Sequence, residues 1–180
     1  MMTPRDQPPK ERPLLERLST GARWEDLRLP GSSRAQLERL AGPLKGSTLA
    51  LFGGPRGTGK SLAAEVLAAR LSLNAYRIDL SRVVTKYIGE TEKNLDRVFD
   101  AAEAARALLL FDDADALFGQ RTEIGDAHDR YANIEITYFL ARLETFEGLA
   151  ILASNRVDDL APAVRKRSVA TVPIPRLLKS

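Results

Sequence analysis

The stretch that decides the fold is Thr48-Leu49-Ala50-Leu51-Phe52-Gly53-Gly54-Pro55-Arg56-Gly57-Thr58-Gly59-Lys60-Ser61. Its first five residues are apolar apart from Thr48 and read as a buried strand. Gly54 to Ser61 fill the phosphate-loop pattern G-x-x-x-x-G-K-[ST]. A helical stretch follows from Ser61 to Leu71, with Leu62, Val66, Leu67 and Leu71 spaced to cover one face. A strand, a glycine-rich turn and a helix start turn several backbone N–H groups into one concavity. That concavity and the helix dipole both favour a polyphosphate. Lys60 adds a mobile charge for the β- and γ-phosphates, and the Ser61 hydroxyl suits a magnesium ion. The binding residues are therefore expected at Gly54, Pro55, Arg56, Gly57, Thr58, Gly59, Lys60, Ser61 and Leu62.

Working outward, strands and helices alternate. Strands are predicted at about 48–53, 75–80, 107–111, 149–153 and 169–174. Helices are predicted at about 60–71, 91–105, 128–147 and 159–167, with another at 33–44 capped by Ser32 or Ser33. The order implies an α/β fold, a five-stranded mainly parallel sheet with helices on both faces. Residues 1–22 carry Pro4, Pro8, Pro9 and Pro13 among charges and read as a disordered or loosely docked arm. Residues 23–176 form the domain, and 177–180 a tail.

The run Leu108-Leu109-Leu110-Phe111 delivers Asp112 and Asp113 at the carboxyl end of a strand, where ligands of open α/β sheets bind. Asp112 is placed to hold Mg²⁺, and Asp113 to orient or deprotonate an attacking water. The strand at 149–153 ends in Ser154-Asn155-Arg156. An Asn after a strand is more often a turn residue, but this one shares a sheet with the other two motifs. Its carboxamide is read as touching both the γ-phosphate and the water.

The 180 residues include no cysteine, which excludes a disulfide framework and a thiolate zinc site and suits a cytoplasmic protein. No apolar stretch approaches the roughly 20 residues that span a bilayer, and the N-terminus lacks the apolar core of a secretory signal. The net charge of +3 is spread along the chain, so nucleic acid is not an expected ligand.

Together these residues resemble the large subdomain of an AAA+ ATPase, a P-loop NTPase. The resemblance runs from about Trp24 to Pro175. It is carried by Gly53–Ser61, Lys86-Tyr87-Ile88-Gly89-Glu90-Thr91-Glu92, Phe111–Phe118, His128–Asn133 and Ser154-Asn155-Arg156. It implies ATP with Mg²⁺ as ligands and hydrolysis to ADP and phosphate, with Asp112 in Walker B and Asn155 as sensor 1. It implies Lys86–Gly89 as a pore loop, in which Tyr87 and Ile88 grip a polypeptide, and a second pore loop near Gly125–His128. His128, the single histidine, is read as a loop or capping residue.

The chain departs from that family at three places. Asp113 stands where the family has Glu. The two usual arginines of a neighbour-completing finger fall on Lys166 and Val169, with Arg165 and Arg167 close enough to substitute; Arg167 is taken as the catalytic one. The small helical lid that the resemblance implies has no counterpart up to Ser180. A ring-forming homo-oligomer is implied by the resemblance, with weak self-association here. Two other readings stand beside a protein-remodelling ATPase: a hydrolysis-impaired nucleotide switch, and a phosphotransferase built on the same loop.

Overall fold

Alternation along each strand decides which helix it meets. The computed structural model of the chain describes residues 13–19, 21–119 and 127–176, with backbone alone over 127–132. Six strands form one sheet: β1 (Leu15–Arg17), β2 (Ser47–Gly53), β3 (Asn74–Asp79), β4 (Ala107–Asp112), β5 (Gly148–Ser154) and β6 (Ala170–Pro173). Their spatial order is β1-β3-β4-β5-β2-β6, and every pairing except β1 with β3 is parallel.

Successive side chains of a strand point to opposite faces. Ala50, Phe52, Leu108, Leu110 and Ile151 therefore pack with α1 (Gly31–Leu40) and α2 (Lys60–Leu71). Leu49, Leu51, Leu109, Phe111 and Leu152 face the other way. There α4 (Glu90–Ala105) and α6 (Ala127–Thr145) cover them, with Phe99, Phe111, Phe118, Phe139 and Phe146 meeting at ring-centroid separations of 4.7–5.9 Å. The two outer helices are stitched by Tyr138, whose hydroxyl donates to Asp96 at 2.6 Å, and by Arg142 to Asp100 at 2.9 Å.

Short helices α3 (Leu80–Val83), α5 (Asp115–Phe118) and α7 (Pro162–Arg167) occupy the connections. The first two lie almost wholly between the predicted elements. Residue 80, expected to end a strand, instead opens α3, because Asp79 caps it by accepting from the Ser81 N–H at 3.0 Å.

The sheet has six strands rather than five. The sixth comes from the segment expected to be a loose arm. Leu15–Arg17 pairs antiparallel with β3, with Glu16 opposite Arg77, and the Leu18 N–H donates to the Ala75 carbonyl at 2.8 Å. The prolines and charges hid an alternation. Leu14 and Leu15 pack against one core and Leu18 is buried in the other, while Pro13 stands just ahead of an edge strand, where its missing N–H costs no ladder bond. Ser33 is not a helix cap either. It lies within α1, buried, and its hydroxyl donates to the Pro173 carbonyl at 2.5 Å, tying α1 to β6.

Candidate functional site

The loop from Gly54 to Gly59 joins β2 to α2, and its conformation depends on glycine at two points. Gly59 takes φ +102° immediately before the helix, a backbone region that side chains avoid. At Gly54 the constraint is contact. A Cβ there would lie 2.0 Å from the Ile174 carbonyl oxygen, just past β6. The Gly53 carbonyl also accepts the Ile174 N–H at 2.6 Å. Gly54→Ala is expected to force loop and strand apart at a cost of about 3 kcal/mol. That corresponds to a drop of roughly 6–12 °C in melting temperature, readable by calorimetry.

Strand order brings the remaining groups to this loop. β2 lies beside β5 with Gly53 opposite Ser154, and β5 lies beside β4 with Leu152 opposite Phe111. The carboxyl ends of these three strands, joined by that of β3, open into one cavity of about 530 Å³. Arg56, Gly57, Gly59, Lys60, Ser61, Asp112, Asp113 and Asn155 line it. Gly54, Pro55 and Thr58 shape the loop behind it. Lys60 Nζ donates to the Gly54 carbonyl and to the Pro55 carbonyl at 3.1 Å, and the Thr58 hydroxyl donates to Pro55 at 2.9 Å. Leu62, one residue into the helix, packs against the core on that side of the sheet rather than lining the cavity.

Partial burial lowers the Lys60 pKa, opposed by the charges of Asp112 and Asp115 and assisted by Arg56. Burial also raises the Asp113 pKa, reinforced by the negative charges of Asp79, Asp115 and Asp112 and countered by Arg56. A carboxylate in that position is a better proton acceptor than a free one. Asp113 also sits at φ +56°, in the left-handed region that aspartate and asparagine tolerate better than other side chains. Its N–H donates to the Asp112 carboxylate at 3.0 Å.

Three charged cavity residues escaped the sequence reading. Asp115 accepts the Ser154 hydroxyl at 2.8 Å, and that hydroxyl in turn accepts the Arg156 N–H at 3.0 Å, which fixes the backbone around Asn155. Its signal was the third carboxylate in Asp112-Asp113-Ala114-Asp115. Arg77 and Asp79 share one face of β3, and Asp79 stands opposite Asp112. Their alternation was visible, but their nearness to β4 was not.

Arg167 is not brought to this cavity. Its guanidinium donates to Glu144 at 3.1 Å and to the Ser47 hydroxyl at 3.1 Å, at the opposite end of β2. Lys166 and Val169 are exposed. Tyr87 and Ile88 do not pack at the helix entrance. They are 61% and 79% exposed, in a turn held by the Tyr87 N–H on the Thr85 hydroxyl at 3.2 Å and the Thr85 N–H on the Thr91 hydroxyl at 3.1 Å. The second expected pore loop falls largely outside the described residues, as does the His128 side chain. Among the described residues no helix is long and apolar enough to cross a membrane.

The chain belongs to the ATPase family associated with various cellular activities (AAA), whose sequence profile matches residues 50–176. It is 35% identical over 126 residues to an uncharacterized AAA family ATPase, y4kL, of Sinorhizobium fredii, covering 69% of this chain and 38% of that one. It is 35% identical over 136 residues to the proteasome-activating nucleotidase of Aeropyrum pernix, covering 71% and 33%. It is 37% identical over 123 residues to the peroxisomal ATPase PEX6 of Neurospora crassa, covering 63% and 9%. The chain thus spans at most about two fifths of the length of these relatives. Its fold is that of a P-loop NTPase, with a mixed α/β architecture and a six-stranded, mostly parallel sheet.

Proposed function

Proceeding from that membership, we propose that this chain binds ATP with Mg²⁺ and hydrolyses it to ADP and phosphate, coupling the cycle to remodelling of a protein substrate. The observation that carries the reading is the single cavity that unites the phosphate loop with Asp112, Asp113 and Asn155. Relatives named as ATPases and a nucleotidase support it.

The water oxygen attacks the γ-phosphorus and the bond to the bridging oxygen breaks, its electron pair leaving with ADP. Asp113 takes the proton of the water, and Asn155 holds water and phosphate in line. The Ser61 hydroxyl and the Asp112 carboxylate are hard oxygen donors in one cavity and fit Mg²⁺. Among the described residues no group of three acidic, histidine or cysteine side chains is placed to cage a metal. Two protein oxygens, with phosphate and water completing the shell, is the arrangement that Mg²⁺ favours. When bound, the ion neutralises charge that develops on the phosphates.

Tyr87 and Ile88 would grip an extended polypeptide through apolar contact, without reading its sequence. The resemblance implies a ring in the cytoplasm; with Lys166 and Val169 at the finger positions, self-association is weak. Arg167 would serve a neighbour's site only by leaving Glu144 and Ser47. A slowly hydrolysing nucleotide switch is the second reading, and the short side chain of Asp113 favours it.

Calorimetry should give one ATP per chain with Mg²⁺, and phosphate release should be slow. Absence of ATP binding overturns the proposal, and binding without turnover selects the switch. Tyr87→Ala should keep ATP affinity and lose any stimulation of turnover by an unfolded polypeptide.

A further inference from the structure

We infer that Arg56, inside the phosphate loop, supplies the guanidinium that contacts the terminal phosphate of ATP, so that one chain carries a complete cationic site. This rests on the ATPase reading above. Arg56 lines the cavity together with Lys60, Ser61, Asp113 and Asn155. In the ATPase reading Lys60 and Asp113 flank the terminal phosphate, and Arg56 shares their cavity.

Availability separates Arg56 from Arg77 in the same cavity, from Arg156 and from the arginines of α7. Arg77 lines the same cavity, but its guanidinium is committed to Glu16 at 2.6 Å. Arg156 pairs with Asp159 at 3.1 Å, Arg165 donates to the Leu160 carbonyl at 3.0 Å, and Arg167 is held by Glu144 and Ser47. Arg56 makes no hydrogen bond or ion pair among the described residues, and its side chain is exposed at the cavity mouth.

The charges lining the cavity favour such a group beside the metal ion. Four carboxylates, of Asp79, Asp112, Asp113 and Asp115, line the cavity against Lys60, Arg56 and the already paired Arg77. A triphosphate entering that field adds further negative charge. Lys60 provides a point charge, whereas a guanidinium presents a planar fork that matches two phosphate oxygens at once. During transfer the charge lies on the equatorial oxygens of the γ-phosphoryl group, where a preorganised cation lowers the barrier most.

The test compares the parent chain with Arg56→Ala and Arg56→Lys. Affinities for ATP and ADP are measured with Mg²⁺ by calorimetry, and phosphate release is followed over a hundredfold range of chain concentration. Arg56→Ala should melt with the parent, because the side chain has no partner to lose. It should bind ADP within about twofold of the parent, bind ATP about tenfold more weakly, and turn over about 10²–10³-fold more slowly. Arg56→Lys should recover part of the ATP affinity and little of the rate. Parental turnover per chain should stay flat with concentration.

Equal losses of ATP and ADP affinity would mean loop damage and would overturn the inference. So would a parental rate in Arg56→Ala, or a specific activity that climbs with chain concentration. If the parent binds ATP without turnover, the ratio of ATP to ADP affinity decides alone. A parent that binds neither nucleotide sinks the ATPase reading itself, whereas a parent that binds ATP no better than Arg56→Ala sinks only the role of Arg56.

Discussion

Lys60→Ala should abolish ATP binding. Lys60 is the first residue of α2, and its ammonium rests on the carbonyls of Gly54 and Pro55, inside the curve of the loop. A triphosphate offers it charged oxygens in place of neutral ones. Charge-assisted bonds contribute about 1.5–3 kcal/mol each. Two such bonds correspond to an affinity loss of roughly 10²–10⁴-fold. The field deepens the loss, because removing Lys60 leaves Arg56, among the described residues, as the one unpaired cation lining a cavity with four carboxylates. Calorimetry with ATP and Mg²⁺ measures this directly. Undiminished affinity in the variant would remove the phosphate loop from the nucleotide site.

The second large effect lies at Asp113. Asp113→Asn should leave ATP affinity near the parental value and lower turnover by about 10²–10⁴-fold, the usual contribution of a positioned base. The substitution is close to isosteric, and asparagine accepts the left-handed backbone at φ +56°. A rate loss therefore reports the lost proton acceptor and not a collapsed turn. Asp113→Glu tests reach. Glutamate is one methylene longer, and a shift of about 1 Å toward the water can change a rate by about 10²-fold. Turnover should rise. Glutamate is less comfortable than aspartate in a left-handed position, so the melting temperature should fall by a few degrees, for a cost of about 1 kcal/mol. Single-turnover phosphate release resolves both variants. If Asp113→Asn keeps the parental rate, the base is another cavity carboxylate, and Asp79 and Asp115 are the two to replace.

The parts of this site that could be read from the sequence are those written in local order. The phosphate loop announces itself within eight residues, and the apolar run before Asp112 marks a strand end. Which of Leu49 to Phe52 and Leu108 to Phe111 face which helices was not legible, because both runs are apolar throughout and carry no alternation. Strand order is not local. Nothing in the chain says that β3 lies beside β4, so Asp79 and Arg77 stayed hidden until the sheet was assembled. β1 was missed because three paired residues carry too little pattern to outweigh the prolines before them. The commitment of Arg167 was equally invisible, since Glu144 and Ser47 lie 23 and 120 residues away. The φ of Asp113 depends on a turn whose amide bonds to its own neighbour's carboxylate.

The packing of Gly54 against Ile174 has a mechanical meaning. A backbone hydrogen bond and a contact with no room for a methyl group make the phosphate loop and the exit of β6 a single rigid coupling. A loop that tightens around one nucleotide and slackens around another would twist that coupling. Any displacement of the loop is then handed on to Ile174 at the exit of β6. Glycine at position 54 keeps backlash out of the linkage.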